Sequence, residues 1–570
     1  PTANPDLANF IIDDLSAIAV GTGDLFTITL PDDEIGEILR REPGAIPVRI
    51  DLIDGDDVVL DTLVTFTIIE DTTLSARIDL GFVADGRSGL AHGTDTIEID
   101  PVAAVERVAT AVSDAPAPTL VSFTPETLTA LADPATEGGL SGIDDIRRLL
   151  DGHLLPLSPW VSIDEEAWRL AGESERVFGL YAQGQQVTET FLGRTPTPIV
   201  RMDADTTADT VGFLRSVGVT GGVVEPDQLD PLTIERADRR PIEVLDTNGI
   251  AMPVLVVDRS FEAGLFGDDP ELVAQQRFTE LLFEAKTVGT DRSIVLDLDT
   301  VDRIPLTLLL DLFETTERLG VAPVDELITR PPARDAAGAV LRVELTSTPP
   351  SDVGGAASDL RLTESVLGSY SEMVSPADGP IAPLRTVLTA AMSDEIDAET
   401  RRDYTDAVFD LVAAGTTDFQ VVESSRVTLA TRSATLPVSI HNEQPLAVNV
   451  VVRITSEKLR LPGGEELRLV LDPGLNELEI PVETVASGDA RILIAVTSPD
   501  GRLDLAAGSV NVRSTAISGL GLVVSLISLA VLLTWWLRTI VRVRRTRRTA
   551  TVPDTSSDDD STPAPKEPAS

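Results

Sequence analysis

Residues 199–224 read IVRMDADTTADTVGFLRSVGVTGGVV, and they decide the fold class of the central region. Residues 199–202 are an apolar run of strand length, 208–217 carry apolar side chains at helical spacing, and 222–224 are apolar again. Strand, helix and strand in so short a span predict a parallel βαβ unit, because parallel neighbours need a crossover and the helix supplies it. The rhythm continues both ways. Upstream, residues 119–123 lead into a helix starting near Pro125; downstream, 253–257 precede a helix at 270–286, and 293–298 precede one at 306–319. Residues 76–350 are therefore expected to form an α/β domain, as a sheet or as an irregular (β/α) barrel.

The flanking regions read differently. Residues 1–75 alternate in strand fashion, with a strand at 26–30 and a hairpin joining 47–53 to 58–69 across Asp54-Gly55-Asp56-Asp57. They suggest a β-sandwich-like domain, incomplete at its start. Residues 351–423 are mainly helical, best at 385–391 and 401–413. From 424 to 514, strands at 427–430, 436–440, 447–454, 466–470, 477–482, 491–496 and 509–512 alternate with turns such as Asp472-Pro473-Gly474. That is the pattern of an immunoglobulin-like sandwich. The expected fold class is multidomain, α/β plus all-β: a barrel-like domain flanked by immunoglobulin-like β-sandwiches, ending in a transmembrane helix.

Residues 516–537, AISGLGLVVSLISLAVLLTWWL, carry no formal charge over 22 positions. At about 1.5 Å per residue that length crosses a hydrocarbon core of about 30 Å. Trp535 and Trp536 close the run, where amphipathic rings favour the headgroup level. Arg538, Arg542, Arg544, Arg545, Arg547 and Arg548 follow at once, with only Arg513 near the other end. The positive-inside rule then places the C-terminus in the cytoplasm and the N-terminal region outside, a single-pass plasma-membrane topology. The lipid contact would be made by Trp535, Trp536, Arg538, Arg542, Arg544 and Arg545. Residues 538–570 read as a basic segment followed by a disordered Asp/Ser/Pro-rich cytoplasmic tail. An exported region requires a targeting signal, and the residues from Pro1 onward show none, so the chain is expected to be a processed or cut form.

Composition narrows the function classes. The 570 residues hold 93 acidic and 45 basic side chains, a net charge of −48, which argues against nucleic acid as a partner. There is no cysteine, which removes disulfides, thiolate metal sites and thiol nucleophiles. The three histidines, His92, His153 and His441, are widely separated, and no HExxH spacing or glycine-rich phosphate loop is present. No metal and no cofactor is implied.

Chemistry, if any, lies in the α/β region. Carboxylates follow several of its expected strands: Asp203 and Asp205 in VRMDAD, Glu225 in VVEPD, Asp258 in VVDRS, Asp297 and Asp299 in VLDLD. On a parallel barrel those strand ends share one face, where active sites are built. Asp203, Asp205, Glu225 and Asp297 are the candidate catalytic residues, since paired carboxylates serve as acid and nucleophile or base in glycoside hydrolysis. The competing reading is that a chain this acidic places Asp in many loops, where it caps helices.

The order of parts resembles an uncharacterised family of actinobacterial single-span membrane proteins with large extracytoplasmic regions. The resemblance is carried by TLPVSIHNEQPLAVNVVVRITS at 435–456, LDPGLNELEIPVET at 471–484, SPDGRLDL, VRST before the span and RRTRR after it. It continues more weakly in LVSFTPETLTAL at 120–131 and VLVVDRSFEAGLF at 254–266. Genes of that family often lie beside the gene for the lipid II flippase, which implies a link to cell-wall assembly and the flippase, or another envelope-synthesis protein, as a partner. The middle region also resembles a degenerate polysaccharide-deacetylase-like barrel, without the metal-binding histidines of that family. The function expected is a membrane-anchored cell-envelope protein, a non-catalytic binding or accessory factor that contacts glycan or protein partners. The alternative is a glycan-acting hydrolase using the barrel carboxylates.

Overall fold

A computed structural model of the chain describes residues 44–53, 58–69, 76–88, 100–113, 115, 118–287, 289–374, 381–422, 427–429, 431–486, 488–514 and 519–546. They divide into two compact units, one made of the described residues up to 357 with Met392–Ile396, the other of the remainder. The strand expected at 26–30 and the tail after 546 lie outside the described residues.

The first unit opens with strands β1 (Gly44–Ile53) and β2 (Val59–Ile69), paired antiparallel as the hairpin pattern predicts. There follow β3 (Ile78–Asp85), α1 (Pro101–Val112), β4 (Leu120–Ser122), α2 (Glu126–Leu131), α3 (Gly139–Leu149), α4 (Glu165–Leu170) and α5 (Ser174–Leu192). Next come β5 (Ile199–Arg201), α6 (Ala208–Ser216), β6 (Gly221–Val224), α7 (Pro231–Ala237), β7 (Ile242–Leu245), β8 (Ala251–Val256), α8 (Arg259–Ala263) and α9 (Pro270–Thr287). The unit closes with β9 (Arg292–Asp297), α10 (Arg303–Phe313), β10 (Leu319–Val321), α11 (Val324–Leu327) and β11 (Arg342–Val343). Acidic loop residues do cap helices: Asp100, Asp164, Asp230, Asp258 and Asp302 each accept a backbone N–H from the first turn that follows.

The parallel pairings run in a closed circuit. β3 pairs with β4, and β4 with the extended segment around Leu154, whose N–H donates to the Thr119 carbonyl at 2.8 Å. That segment reaches Thr197 and β5 through a bridge at Pro156; β5 pairs with β6, and β6 with β8. Val257 bridges to Val295 of β9, which pairs with β3. β7 is an antiparallel excursion on β8 and carries β11 on its far edge.

Strand alternation sorts the core into two layers. Ile78, Leu80, Phe82 and Ala84 of β3 and Ile294 and Leu296 of β9 face the helices, packing with Val108, Leu128, Ile146, Leu281 and Leu309. The alternate set, Val83, Leu120, Ile199, Val223, Leu255 and Val295, forms a second cluster with Val324, Leu327 and Ile328. One end of this inner layer is filled by residues 324–328, which pass where two strands carry glycine. A Cβ on Gly81 would lie 2.5 Å from Leu327 Cδ1, and one on Gly221 2.4 Å from Ile328 Cδ1.

The second unit contains helix α12 (Gly354–Met373) from Ser358 onward, α13 (Ile381–Ala390) and α14 (Ala398–Thr417) and strands β12 (Phe419–Val422), β13 (Val427–Leu429), β14 (Ser433–Asn442) and β15 (Val448–Ser456). It continues with β16 (Leu459–Arg460), β17 (Glu466–Leu471), β18 (Gly474–Thr484), β19 (Gly488–Thr497) and β20 (Asp504–Ser514). The strands make two sheets, ordered β12-β14-β18-β16 and β13-β20-β19-β15-β17. β14 and β18 bury alternate residues, Leu436, Val438 and Ile440 on one and Ile480 and Val482 on the other, so each presents one apolar face. Asn442 is buried between the sheet and the next turn, its amide donating to the Leu446 and Leu471 carbonyls.

The last element is α15 (Gly519–Thr546), long and apolar enough over Val523–Ile540 to cross a membrane. It is one continuous helix through Trp535, Trp536, Arg538, Arg542, Arg544 and Arg545, running past the end of the apolar run at Leu537.

Candidate functional site

The inner-facing register that buries Val83, Ile199, Val223 and Val295 carries on to polar residues two positions later. It sets Asp85, Arg201, Glu225 and Asp297 on the same inward face, at the strand ends opposite the 324–328 plug. Two of the expected catalytic carboxylates, Glu225 and Asp297, are thus brought together, and two arginines lie between them. Arg201 Nη2 donates to Glu225 Oε1 at 2.8 Å and to Asp297 Oδ2 at 2.7 Å. Arg259, from the first turn of α8, donates through Nε to Glu225 Oε2 at 2.9 Å and through Nη2 to Asp297 Oδ2 at 3.2 Å. The second Asp297 oxygen accepts the Asp299 N–H at 3.1 Å. Burial alone would weaken the Arg201 guanidinium, but Asp297 and Glu225 outweigh it and hold its proton more tightly than usual.

The network extends sideways. Glu262 accepts the Asp297 N–H at 2.6 Å and Arg259 Nη1 at 2.8 Å, and the Thr300 hydroxyl at 3.0 Å. Asp299 accepts the Asp85 N–H at 2.6 Å, and Asp85 chelates Arg87 through both oxygens. Burial would raise Asp85, yet the Arg87 bonds overcome it and leave its pKa below the usual carboxylate range.

Asp203 and Asp205 lie apart from this layer. Asp203 borders an open cleft with Arg87, Arg201, Ser122, Ser158, Ser162, Glu165 and Tyr181. Phe123, Leu157 and Ile163 supply its apolar wall. The Asp203 carboxyl is raised above its ordinary value by desolvation among its neighbours, although the residue as a whole is exposed, with Arg87 opposing and Asp394 adding to the rise. Asp205 is raised by burial and by its hydrogen bond with Asp164, which stays ionised because the Ser351 and Ala167 N–H groups donate to it.

The cleft also holds a residue the sequence reading missed. Glu165, first residue of α4, accepts the Tyr181 hydroxyl at 2.8 Å, and burial together with the nearby Asp203 pushes its pKa up to about 8. Nothing in the motif IDEEAW distinguishes Glu165 from a capping acid; only the fold brings Tyr181 and Asp203 to it. The arginines were missed although they stand in the quoted motifs, Arg201 in VRMDAD and Arg259 in VVDRS.

The wall of the cleft is set by close packing. A Cβ on Gly184 of α5 would stand 2.3 Å from the Ser158 carbonyl oxygen. Gly184→Ala is therefore expected to push residues 158–160 away and to destabilise the unit by about 1–3 kcal/mol in urea unfolding. An unchanged midpoint would show that α5 can move without cost.

Among the described residues no group of His, Cys, Asp or Glu is arranged to hold a metal ion. His153 Nδ1 accepts the Thr119 N–H at 3.3 Å beside the β4 bridge, a structural contact, and His441 is a strand residue of β14.

Residues 290–566 match a family of unknown function (DUF6049). The DUF6049 match begins just before β9, so it takes in Asp297 but leaves out Glu165, Asp203 and Glu225. No curated protein matches the sequence. Among solved structures, a 4-alpha-glucanotransferase from Thermococcus litoralis is similar at 9% identity and TM-score 0.40, covering 74% of this chain and 85% of that one. An alpha-mannosidase from Enterococcus faecalis V583 is similar at 10% identity and TM-score 0.38; the match covers 78% of this chain but spans only 57% of the mannosidase. A putative polysaccharide deacetylase from Mycobacterium smegmatis is similar at 13% identity and TM-score 0.28, over 49% of this chain and all of that one. At TM-scores below 0.5 these likenesses assign no activity to the chain.

Proposed function

We propose that this chain is a cell-envelope protein anchored in the plasma membrane by α15, with its two units outside and its C-terminus cytoplasmic, and that the α/β unit binds glycan without cleaving it. In this reading the parallel circuit is an irregular (β/α) barrel and the β-rich region an immunoglobulin-like spacer. A partner in envelope synthesis, the lipid II flippase or another such protein, completes the role.

One observation carries the non-catalytic part. Both oxygens of Glu225 accept arginine N–H groups, and Asp297 is occupied by two guanidinium groups on one oxygen and a backbone N–H on the other. Two guanidinium groups on these carboxylates spread their negative charge and hold the side chains in place, which weakens either one as a nucleophile towards an anomeric carbon. The binding part rests on the cleft, where the Ser122, Ser158, Ser162 and Tyr181 side chains stand beside an apolar wall. Hydroxyl side chains placed against such a wall suit a ring with polar edges and apolar faces.

The test is a long incubation of the full-length protein in detergent with neutral and acidic oligosaccharides, followed by mass spectrometry. Recovery of every oligosaccharide intact, with retention on the protein, is expected. A new reducing end, lost on Glu225→Gln, would overturn the reading and make the protein a hydrolase.

A further inference from the structure

Within the cleft nearly every formal charge is answered by a neighbour. Arg87 is chelated by Asp85, Arg201 is shared by Glu225 and Asp297, and Glu165 accepts the Tyr181 hydroxyl. The exception is Asp203: its backbone carbonyl accepts Gln228 Nε2 at 2.7 Å, but its carboxylate accepts no hydrogen bond from any described residue. A second polar group in the same wall is unsatisfied. Thr124 is 3% exposed, and its hydroxyl has no hydrogen-bond partner. A buried hydroxyl left without a partner costs about 1–3 kcal/mol, and this one stands in the same cleft as an exposed carboxylate that no protein donor engages, so the cleft offers a ligand both groups.

We infer that Glu165 and Asp203 grip one uncharged, hydroxyl-bearing sugar unit between them, Glu165 as hydrogen-bond donor and Asp203 as acceptor, an inference that rests on the glycan-binding reading above. The charge pattern selects the ligand class. An anionic sugar would meet the Asp203 carboxylate, which no protein donor engages, while Arg87 and Arg201 are already bonded to other carboxylates. A cationic sugar would bring an ammonium group, which can only donate, against Glu165, whose free oxygen is needed as a donor. A sugar hydroxyl both gives and accepts, and so suits a donor beside an acceptor.

Glu165 can serve as donor because of what surrounds it. Tyr181 occupies Oε1, and burial and the Asp203 charge keep the proton on the carboxyl up to about pH 8. The other groups facing it are Asp205, which also disfavours its ionisation, and Arg87 and Arg201 across the cleft. Above that pH Glu165 becomes a second acceptor and repels Asp203, and the grip is lost.

The experiment titrates binding of neutral glucose, mannose and arabinose hexasaccharides, a galacturonate hexamer and a glucosamine hexamer to the full-length protein in detergent, from pH 6 to 9. A neutral hexamer is expected to bind at pH 6 and to weaken about tenfold between pH 7 and 9, the ratio set by one group titrating near 8. The charged hexamers are expected to bind more weakly at every pH. Glu165→Gln keeps a donor that does not ionise, so it is expected to bind within about threefold of wild type at pH 6 and to flatten the profile. Neutral binding in the wild type that is flat with pH, or a pH dependence that persists in Glu165→Gln, overturns the grip and leaves glycan binding standing. Preference for a charged hexamer overturns it too. Failure of every hexamer to bind the wild type overturns both readings.

Discussion

Trp168→Ala is expected to lower the stability of the α/β unit by about 3–5 kcal/mol, read as a shift in the urea midpoint of the full chain in detergent. Trp168 sits in the last turn of α4 with 1% of its surface exposed, so truncation removes a large apolar surface and leaves a void. It also holds a chain crossing. Its indole N–H donates to the Met392 carbonyl at 2.9 Å, and Met392–Ile396 is the segment beyond residue 357 that belongs to this unit. Asp394 adds a second tie, its N–H donating to the Ser162 carbonyl at 3.0 Å beside the cleft. Trp168→Phe keeps most of the volume but loses the indole donor, so a smaller cost of about 1–2 kcal/mol is expected. A loss below about 1 kcal/mol for the alanine variant would mean that the segment does not depend on this contact.

Stability should also fall as pH rises from 5.5 to 8.5, by on the order of 3 kcal/mol for each buried, protonated carboxyl. Glu126, 2% exposed at the start of α2, is the clearest case: burial and the charge of Glu395 push it up to about 8 from an ordinary value of 4.5. Between those two values the unfolded chain has lost the proton and the folded chain keeps it. The unfolded state therefore binds fewer protons, and stability is full below about pH 4.5, falls through the window and stops falling above about 8. Glu165 adds in the same sense. Asp85, Asp164 and Asp500, whose pKa values are lowered, act in the opposite sense and only in acid, outside this window. Glu126→Gln should flatten a large part of the slope; a slope unchanged in that variant would assign it elsewhere.

What the sequence made legible follows physical periodicity. The unit at 199–224 forms as read, with β5, α6 and β6 in place, because each element has its own apolar rhythm. The strands between 427 and 514 form for the same reason, and only the short β16 among them escaped, while β12 lies just before them in the stretch read as mainly helical. The bridging segment near Leu154 was not legible, since HLLPLSPW is broken by two prolines and joins its neighbours through isolated bridges. Among the candidate residues, the common face of Glu225 and Asp297 was legible from strand polarity. Their neutralisation by Arg201 and Arg259 was not, because it depends on which loops meet across the circuit. Glu165 lies beyond any local signal, its character being set by Tyr181 and Asp203 at distant positions.

The place of β20 in its sheet has a mechanical consequence. That strand pairs along its length with β19 and at its end with β13, and α15 begins five residues later. A pull applied at the end of β20 and directed along the strand would strain its cross-strand bonds together in shear rather than unzip them in turn. An edge strand in the same position would peel. The apolar helix thus follows a strand flanked on both sides at its end, rather than one on the rim of a sheet.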